Sequence, residues 1–284
     1  MKKIYGLMLV PVLALSGCAS KISNEEAEKR AKEIAAHEVK DEDLNKLRLE
    51  GSSSAKFSGK YNEKSYSFEG STESVSEFSL EKKFAYLSRK ESEKTVINGK
   101  TVESKEEHES WYYMKGESFF MVSRDVVGGK ETKEYSEYTG AYATAYYASV
   151  FGTAKETAIG LLAGTDSLTE CVGMLKQTEK EAKSEGCTYK VGAYSSGEGS
   201  LIIKGKAVAT KFEVLEFVEA EGNGSARLKF VWDNYKFVES SYSYSFTAKD
   251  SAKKVEGKIS GKSNSKVSDK VNLATPDLKG YTKK

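Results

Sequence analysis

The sequence predicts an α+β fold: a single large curved antiparallel sheet, an incomplete barrel, with an N-terminal helix and a helical insert packed on the concave face. Three observations lead to this prediction. Two long segments alternate apolar and polar residues with a period of two, which is typical of strands that have one buried face and one solvent-exposed face. A segment rich in Ala, Gly and Tyr lies between them. Its broad apolar face provides the cover that one-sided strands need.

The first predicted helix begins with a capping box, Ser23 and Glu26, and we expect it to run to Leu47 or Leu49, with a restart at Asp41 as an alternative. From Gly51 onward the period of two predicts strands, separated by turns of which Asn98-Gly99 is the strongest signal because both residues tolerate positive φ. These strands are the runs around Phe57 and Phe68, and residues 74–81, 84–91, 93–97, 100–105, 109–115 and 118–125.

The second half of the chain begins with the helical insert, Ala141–Ala163, followed by a more polar helix at about 167–185. Strands then return, with Gly222-Asn223-Gly224 predicted as a turn and residues 251–263 as an edge strand. The remaining predicted strands are Leu201–Val208, Phe212–Val218, Ala226–Trp232 and Tyr235–Phe246.

The composition argues against several classes of protein. The chain has 284 residues, with 44 Lys and Arg against 42 Asp and Glu. A balance this even argues against a nucleic-acid partner, because phosphate binding needs clustered excess positive charge. The hydrophobic fraction of 38%, with 17 Tyr and 12 Phe, argues against a wholly disordered chain.

The first eighteen residues resemble a bacterial lipoprotein signal. Lys2 and Lys3 precede a short apolar run, Ile4–Leu15, and Leu15-Ser16-Gly17-Cys18 is similar to a lipobox. The resemblance implies cleavage before Cys18, a diacylglyceryl thioether on its sulfur and acylation of the new amino group. We therefore expect a lipid-anchored protein of the bacterial cell envelope, on the extracytoplasmic side of a membrane. An ordinary signal peptide with a chance cysteine is the alternative.

This interpretation divides the chain into four parts. They are a signal peptide (1–17), a lipidated tether (18–22), one folded domain (23–263) and a mobile tail rich in Lys and Ser (264–284).

Cys171 and Cys187 are the two remaining cysteines of a chain that we expect to be exported. They could form a disulfide, or they could be two free buried thiols. Ser167 with Glu170 reads as a capping box and Gly186 as a C-terminal cap, which places the two cysteines at opposite ends of a helix. A regular helix would hold them about 24 Å apart, beyond the ~7 Å limit for a disulfide. The bond therefore requires that helix to break.

The order of helix, strands, helices and strands resembles the LolA/LolB and LppX/LprG superfamily of lipoprotein and lipid carriers. Aromatic hairpins such as Trp111–Phe120 add to the likeness, whereas the long charged hairpin at 91–109 departs from it. The resemblance covers about residues 24–262 and implies an incomplete barrel closed by helices around a cavity for acyl chains.

No catalytic residue, metal site or cofactor is predicted, and we do not expect an enzyme. The two histidines, His37 and His108, belong to no HExxH motif, His pair or Cys–His cluster. A Gly-x-Ser-x-Gly nucleophile elbow is also missing from the sequence.

Two functions remain. The first is a tethered protein that binds a lipid or other hydrophobic molecule in a cavity between sheet and helices. The second is a surface interaction or adhesion lipoprotein with a solid core, which presents the charged 91–109 hairpin to an envelope protein or cell-wall partner. For the first, the candidate lining residues are Phe57, Tyr66, Phe68, Phe84, Tyr86, Trp111, Tyr113, Tyr146, Val150, Phe151, Phe230 and Trp232.

Overall fold

The computed structural model describes residues 19–35, 39–163, 187–195, 200–209, 219–231, 236–250 and 254–284. This part of the chain contains two α-helices, α1 (Asn24–Ala35) and α2 (Gly140–Ala163), and a 3-10 helix at Asp41–Leu44. Its strands are β1 (Ser20–Lys21), β2 (Leu47–Tyr61), β3 (Lys64–Ser79), β4 (Phe84–Ile97), β5 (Lys100–Lys115), β6 (Ser118–Val127), β7 (Lys130–Tyr138), β8 (Cys187–Ser195), β9 (Ser200–Ala209), β10 (Glu219–Val231), β11 (Lys236–Asp250), β12 (Val255–Ser268) and β13 (Thr282–Lys283).

The described strands form one open sheet in the order β1-β8-β9-β10-β11-β12-β2-β3-β4-β5-β6-β7-β13. Neighbours are antiparallel, except that β13 pairs with β7 in parallel at one edge. The sheet does not close, because β1 and β13 remain at its two ends. Helix α2 contacts β6, β7 and β11. The predicted class, an α+β incomplete barrel with a helical insert, is confirmed.

Two-residue turns join β2 to β3, β4 to β5, β5 to β6 and β6 to β7, whereas the four residues 80–83 join β3 to β4. Asn98 and Gly99 have φ of 49° and 78°, which confirms the predicted turn between β4 and β5. Asn62 and Glu63, with φ of 48° and 66°, join β2 to β3 in the same way. The separate strands predicted at 74–81, 84–91, 93–97, 100–105 and 109–115 are segments of β3, β4 and β5, because antiparallel pairing continues through their polar residues.

The first helix is shorter than predicted. It ends at Ala35 within the described residues, and Asp41 begins a 3-10 helix instead of a new α-helix. The Asp43 carboxylate accepts the backbone N–H of Lys40 at 3.1 Å, which favours a tight turn at this point. Leu47 and Leu49, predicted as the helix end, therefore lie in β2.

Strand β10 contains the segment predicted as a turn, Gly222-Asn223-Gly224. The register places Gly222 opposite Phe246 and Gly224 opposite Tyr244 of β11. Pairing with strands on both sides thus overrides the local turn preference of this segment. The predicted helix at 167–185 and the predicted strand Phe212–Val218 lie outside the described residues.

The predicted edge strand 251–263 is β12, which lies between β11 and β2 and is not an edge. Cys187, predicted to follow a helix, is the first residue of β8 and lies opposite Ala209 of β9. Gly186, predicted as the cap of the preceding helix, lies outside the described residues.

Side-chain alternation in β2 to β7 gives the sheet two faces. We call one the helix face: it carries Leu47, Phe78 and Ala85, which lie opposite one another on β2, β3 and β4. We call the other the tail face. It carries a buried group, the tail-face cluster, formed by Phe84, Tyr113, Phe120 and Val122.

Helix α2 crosses the helix face near the end of the sheet where β2, β4 and β6 begin. Phe151 packs against Phe78 and Phe119, with ring centroids 5.8 and 6.2 Å apart. Phe119 is fully buried, and the buried Ala143 and Ala158 are small enough for the helix backbone to approach the sheet. Burial of each Phe side chain contributes about 1.5–3 kcal/mol, so this contact fixes the position of the helix.

The segment predicted as a mobile tail is held against the tail face in the structure. Residues 264–268 complete β12. Beyond them Leu273, Leu278 and Tyr281 pack on the tail-face cluster, and Thr282–Lys283 forms β13. The difference arises because the cluster needs a cover, and these three large side chains supply it within a segment that is otherwise polar.

Candidate functional site

The sheet divides the predicted ligand-lining residues between its two faces. Six of them lie on the helix face or on α2: Phe57, Tyr66, Phe68, Tyr146, Val150 and Phe151. Four lie on the tail face: Phe84, Tyr86, Trp111 and Tyr113. Phe230 belongs to β10 but its side chain is outside the described part of the structure, as is the whole of Trp232. These residues therefore do not line a single cavity.

Aromatic side chains fill the contact between α2 and the sheet. The ring of Phe151 lies 4.7 Å from that of Tyr147, between its two partners on the sheet. Val150 packs against the same cluster. Tyr146 stacks on Tyr138 at 3.9 Å and is 38% exposed. At this place the helix covers a packed core, and spaces for a ligand lie elsewhere on the two faces.

A groove of 290 Å³, which we call the helix-face groove, opens further along the strands. Most of its lining residues share the face of α2, and many of them are small. Among them Ser53 lies opposite Thr72, and Ala55 lies opposite Gly70. The complete lining is Ser53, Ser54, Ala55, Phe68, Gly70, Ser71, Thr72, Glu91, Ser92, Glu93, Tyr244, Lys262 and Ser263.

Aromatic rings lie over glycines at and beside this groove. A Cβ atom added at Gly70 would come within 2.8 Å of the Phe68 ring, closer than real Cβ contacts. Because glycine has no side chain, the Phe68 ring can pack directly against the backbone of the sheet at this position. The same close approach occurs in two further pairs: Phe57 over Gly257, and Tyr244 over Gly261.

The rings form an apolar group that is separate from the α2 contact. Phe57 and Tyr66 have ring centroids 5.7 Å apart. Phe57, Phe246 and Ile259 are 8%, 9% and 7% exposed. The structure thus brings Phe57, Tyr66 and Phe68 of the predicted lining together, and it adds residues of β11 and β12 to them.

A larger cavity of 400 Å³, the tail-face cavity, lies on the opposite side of the sheet beneath the C-terminal segment. The sheet provides aromatic and charged side chains, whereas the segment provides uncharged residues. The complete lining is Arg48, Val75, Glu77, Phe84, Tyr86, Glu109, Trp111, Asn272, Ala274, Thr275 and Pro276.

Glu77 links this cavity to the C-terminal segment. Its side chain is 3% exposed and forms an ion pair with Arg48, its cross-strand neighbour. The same carboxylate accepts the backbone N–H groups of Asn272 and Leu273 at 3.1 and 3.2 Å. Arg48 also donates from Nε to Glu50 at 2.7 Å. A buried carboxylate with this many partners is satisfied and fixes the path of the segment.

Tyr86 and Trp111 lie side by side in the cavity, with ring centroids 5.2 Å apart and planes at 37°. The Tyr86 hydroxyl donates to Glu109 at 2.7 Å. Burial of this hydroxyl, with the nearby Glu109 carboxylate, raises the pKa of Tyr86. The phenol therefore stays protonated and keeps Glu109 oriented beside the rings.

Charged residues cover β5, β6 and β7 beyond the two apolar regions. Arg124 donates to Glu131 at 2.7 Å and to Glu109 at 2.8 Å, and these bonds raise the pKa of its guanidinium. His108 is bonded to Asp125 at 2.8 Å, and this bond raises the pKa of His108, with Glu106 adding to the effect. In the predicted 91–109 hairpin, His108 and Glu109 thus pair with residues of β6, and Lys94 pairs with Glu103 at 2.9 Å nearer the tip.

Three further observations concern the predicted anchor, the cysteines and metals. Cys18, Cys171 and the side chain of Cys187 lie outside the described part of the chain, so lipidation and the disulfide remain predictions. Neither described helix combines the length and the apolar character needed to cross a membrane. Within the described ranges no three His, Cys, Asp or Glu side chains are grouped to hold a metal ion.

The sequence did not reveal two important parts of these sites. The contribution of Tyr244 depends on β11 lying two strands from β2, which no local pattern encodes. The Arg48–Glu77 pair depends on the exact register of β2 and β3. A detectable signal did exist for the C-terminal cover, because Leu273, Leu278 and Tyr281 interrupt a polar segment.

No family model and no curated protein match the sequence. Solved structures show remote similarities. The translocator domain of the autotransporter NalP from Neisseria meningitidis is 7% identical, with a TM-score of 0.25, over 85% of this chain and 95% of that chain. A beta-barrel-like protein of the DUF1849 domain from Brucella abortus is 8% identical, with a TM-score of 0.26, over 80% and 100%. A DUF1329 family protein from Desulfovibrio piger is 8% identical, with a TM-score of 0.18, over 90% and 94%. TM-scores this low do not define a common fold.

Proposed function

We propose that the protein is a membrane-anchored extracytoplasmic lipoprotein that binds a lipid or another hydrophobic molecule on the helix face. The anchor rests on the lipobox resemblance at Cys18. The ligand site rests on one observation, the helix-face groove of 290 Å³ beside aromatic rings that lie over glycines. This site is open and lies beside α2, because Phe151 and its partners fill the space beneath the helix.

The groove lies between two apolar regions of the same face. Along β2, Leu47 is buried near α2 and Phe57 is buried among the rings, ten residues or about 33 Å apart. Between them Gly51, Ser53 and Ala55 provide little bulk on this face. An extended apolar molecule in this groove would gain about 0.8 kcal/mol for each methylene removed from water.

Native mass spectrometry of the purified protein, together with organic extraction, tests the ligand. We expect a co-purifying hydrophobic molecule that is lost from Ser53→Phe, because that ring would fill the groove. Ser52→Phe is the matched control, since Ser52 is the preceding residue of β2 and lies on the opposite face. Protein without a bound molecule, or equal ligand content in the two variants, would contradict the proposal.

Metabolic labelling with an alkyne fatty acid tests the anchor separately. Label is expected on the wild-type chain and on Cys187→Ser, and it should be missing from Cys18→Ser. Label that persists in Cys18→Ser would rule out the lipobox interpretation.

The tip of the 91–109 hairpin favours a second candidate, a surface interaction lipoprotein. Strand β6 ends at Val127, opposite Glu106, so in the described structure no strand pairs with the outer edge of Lys100–Lys105. Val102 and Ile97 at this tip are 69% and 46% exposed. An open strand edge with exposed apolar side chains is a feature to which extended partners bind.

Cross-linking in intact cells tests this second candidate. The double variant Ile97→Glu and Val102→Glu should lose a cross-linked partner, while Leu87→Glu, at a position 47% exposed elsewhere on β4, should retain it. The candidate fails if all three proteins give the same cross-linked products.

A further inference from the structure

We propose that the tail-face cavity is a second binding site and that its ligand is an organic cation of the quaternary-ammonium class. Its volume of 400 Å³ falls within the range of small-molecule sites. The cavity lies on the opposite side of the sheet from the helix-face groove, so this inference does not depend on the proposed function.

The aromatic floor is the first argument. Phe84, Tyr86 and Trp111 line the cavity. The rings of Tyr86 and Trp111 come from directly opposite positions on β4 and β5, and their planes meet at 37° instead of stacking in parallel. The face of an aromatic ring carries partial negative charge and attracts a cation within about 6 Å of its centroid, most strongly for Trp.

The charges that line the cavity are the second argument. They are Arg48, Glu77 and Glu109, which leaves one negative charge in excess. Arg48 is paired with Glu50 as well as with Glu77, and Arg124, which donates to Glu109, is also paired with Glu131. Both positive charges are therefore already compensated. An anionic ligand would meet two carboxylates, whereas a cation would be stabilised by them.

The hydrogen bonds of these carboxylates distinguish a quaternary from a primary ammonium ion. Glu77 accepts bonds from Arg48 and two backbone N–H groups, and Glu109 accepts bonds from Tyr86 and Arg124. A primary ammonium ion brings three donors that would have to compete for these acceptors. A quaternary ammonium ion has no donor to satisfy, and its methyl groups suit ring faces.

The roof of the cavity fits the same ligand. Asn272, Ala274, Thr275 and Pro276 carry no charge, so the C-terminal segment adds no cation to the lining of the cavity. The segment is held on both sides of the cavity: Glu77 binds its backbone before residue 274, and Leu278 packs on the tail-face cluster after residue 276.

Isothermal titration of the purified full-length protein with choline tests the proposal. We expect saturable binding, and at least tenfold weaker binding of 3,3-dimethyl-1-butanol, in which a carbon atom replaces the charged nitrogen. Choline and this neutral analogue have nearly the same shape, so the difference isolates the charge. Equal affinities, or no saturable choline binding, would overturn the proposal.

Variants at the floor locate the site. Trp111→Phe should weaken choline binding several-fold and Trp111→Leu at least tenfold, because Phe keeps a weaker ring and Leu has none. Tyr61→Leu, at a 51% exposed position of β2 that lines neither the groove nor the cavity, should bind choline as the wild type does. Thermal unfolding identifies folded variants, and Trp111→Phe provides the test if Trp111→Leu does not fold. Unchanged affinity in a folded Trp111 variant would also overturn the assignment.

Discussion

The helix face and the tail face are two sides of the same strands, but they are covered in different ways. On the helix face a regular helix places Phe151 between two rings of the sheet and fills the space beneath it. On the tail face an irregular segment is held by Glu77 and by Leu278, and a cavity of 400 Å³ remains beneath it. The comparison suggests that the helical cover mainly stabilises the fold, whereas the irregular cover leaves room for a ligand.

The largest expected effect is a loss of stability on the helix face, where α2 packs against the sheet. Phe151→Ala should lower the free energy of unfolding by about 3–5 kcal/mol, because it removes a buried ring and leaves a cavity. Tyr146→Ala is the matched control on the same helix: its ring is 38% exposed and stacks on Tyr138, so the loss should be about 1 kcal/mol. Urea unfolding measures both values. Similar losses for the two variants would show that α2 does not pack as described.

On the tail face Glu77→Gln should lower the free energy of unfolding by about 2 kcal/mol, because the buried partner of Arg48 loses its charge. Hydrogen exchange should show faster exchange of the Leu273 amide and little change in α2. Glu50→Gln removes the exposed partner of the same arginine and should cost less than about 1 kcal/mol. Uniformly faster exchange would indicate that the segment unfolds only with the whole domain.

The glycines under the aromatic rings give a smaller and more selective effect. Gly70→Ala should cost about 1–3 kcal/mol, because the new methyl group would displace the Phe68 ring. Gly152→Ala lies in α2, where the added methyl group meets nothing within 4 Å, and should instead stabilise the protein by about 0.5–1 kcal/mol. Opposite shifts in melting temperature would confirm the contrast. Equal shifts would show that the ring does not lie over Gly70.

The smallest expected effect concerns pH. The bond to Asp125 raises the pKa of His108 above its ordinary value of 6.5, so the protonated form is the one stabilised in the folded state. This stabilisation is present below about pH 6.5 and is lost as the pH rises through the folded-state pKa. Because both side chains are 41% exposed, its size should be about 0.5 kcal/mol or less.

Comparing urea unfolding of the wild type and Asp125→Asn at pH 5.5 and pH 8.5 tests this sign. The difference in stability should be larger at pH 5.5. A larger difference at pH 8.5 would contradict the assigned direction.

Local signals in the sequence were sufficient for some parts of this structure. The Asn98-Gly99 turn follows from two residues that tolerate positive φ, and α2 differs from its predicted start by one residue. The prediction that the first helix reaches Leu47 or Leu49 was wrong, because Asp43 caps a short turn and β2 begins at Leu47.

The candidate site was harder to predict because face assignment depends on register. Phe57 and Phe84 both lie in alternating segments, yet they are on opposite faces, and only the pairing of β2, β3 and β4 decides this. A shift of one residue in that pairing would exchange the faces. Arg48 and Glu77 are 29 residues apart in the chain, so their contact and the cavity beside it could not be read from local pattern.

The pairing of β2 with β12 also has a consequence for the order of folding. It joins residues as distant in sequence as Leu49 and Val267, and in the described sheet it is the seam between β2–β7 and β8–β12. Until residues 255–268 have been synthesised and have paired with β2, that edge of β2 is unpaired and open to strands of other chains. Lys56 and Lys60 near the far end of that strand would discourage such contacts, and we expect closure of this seam to be a slow step of maturation.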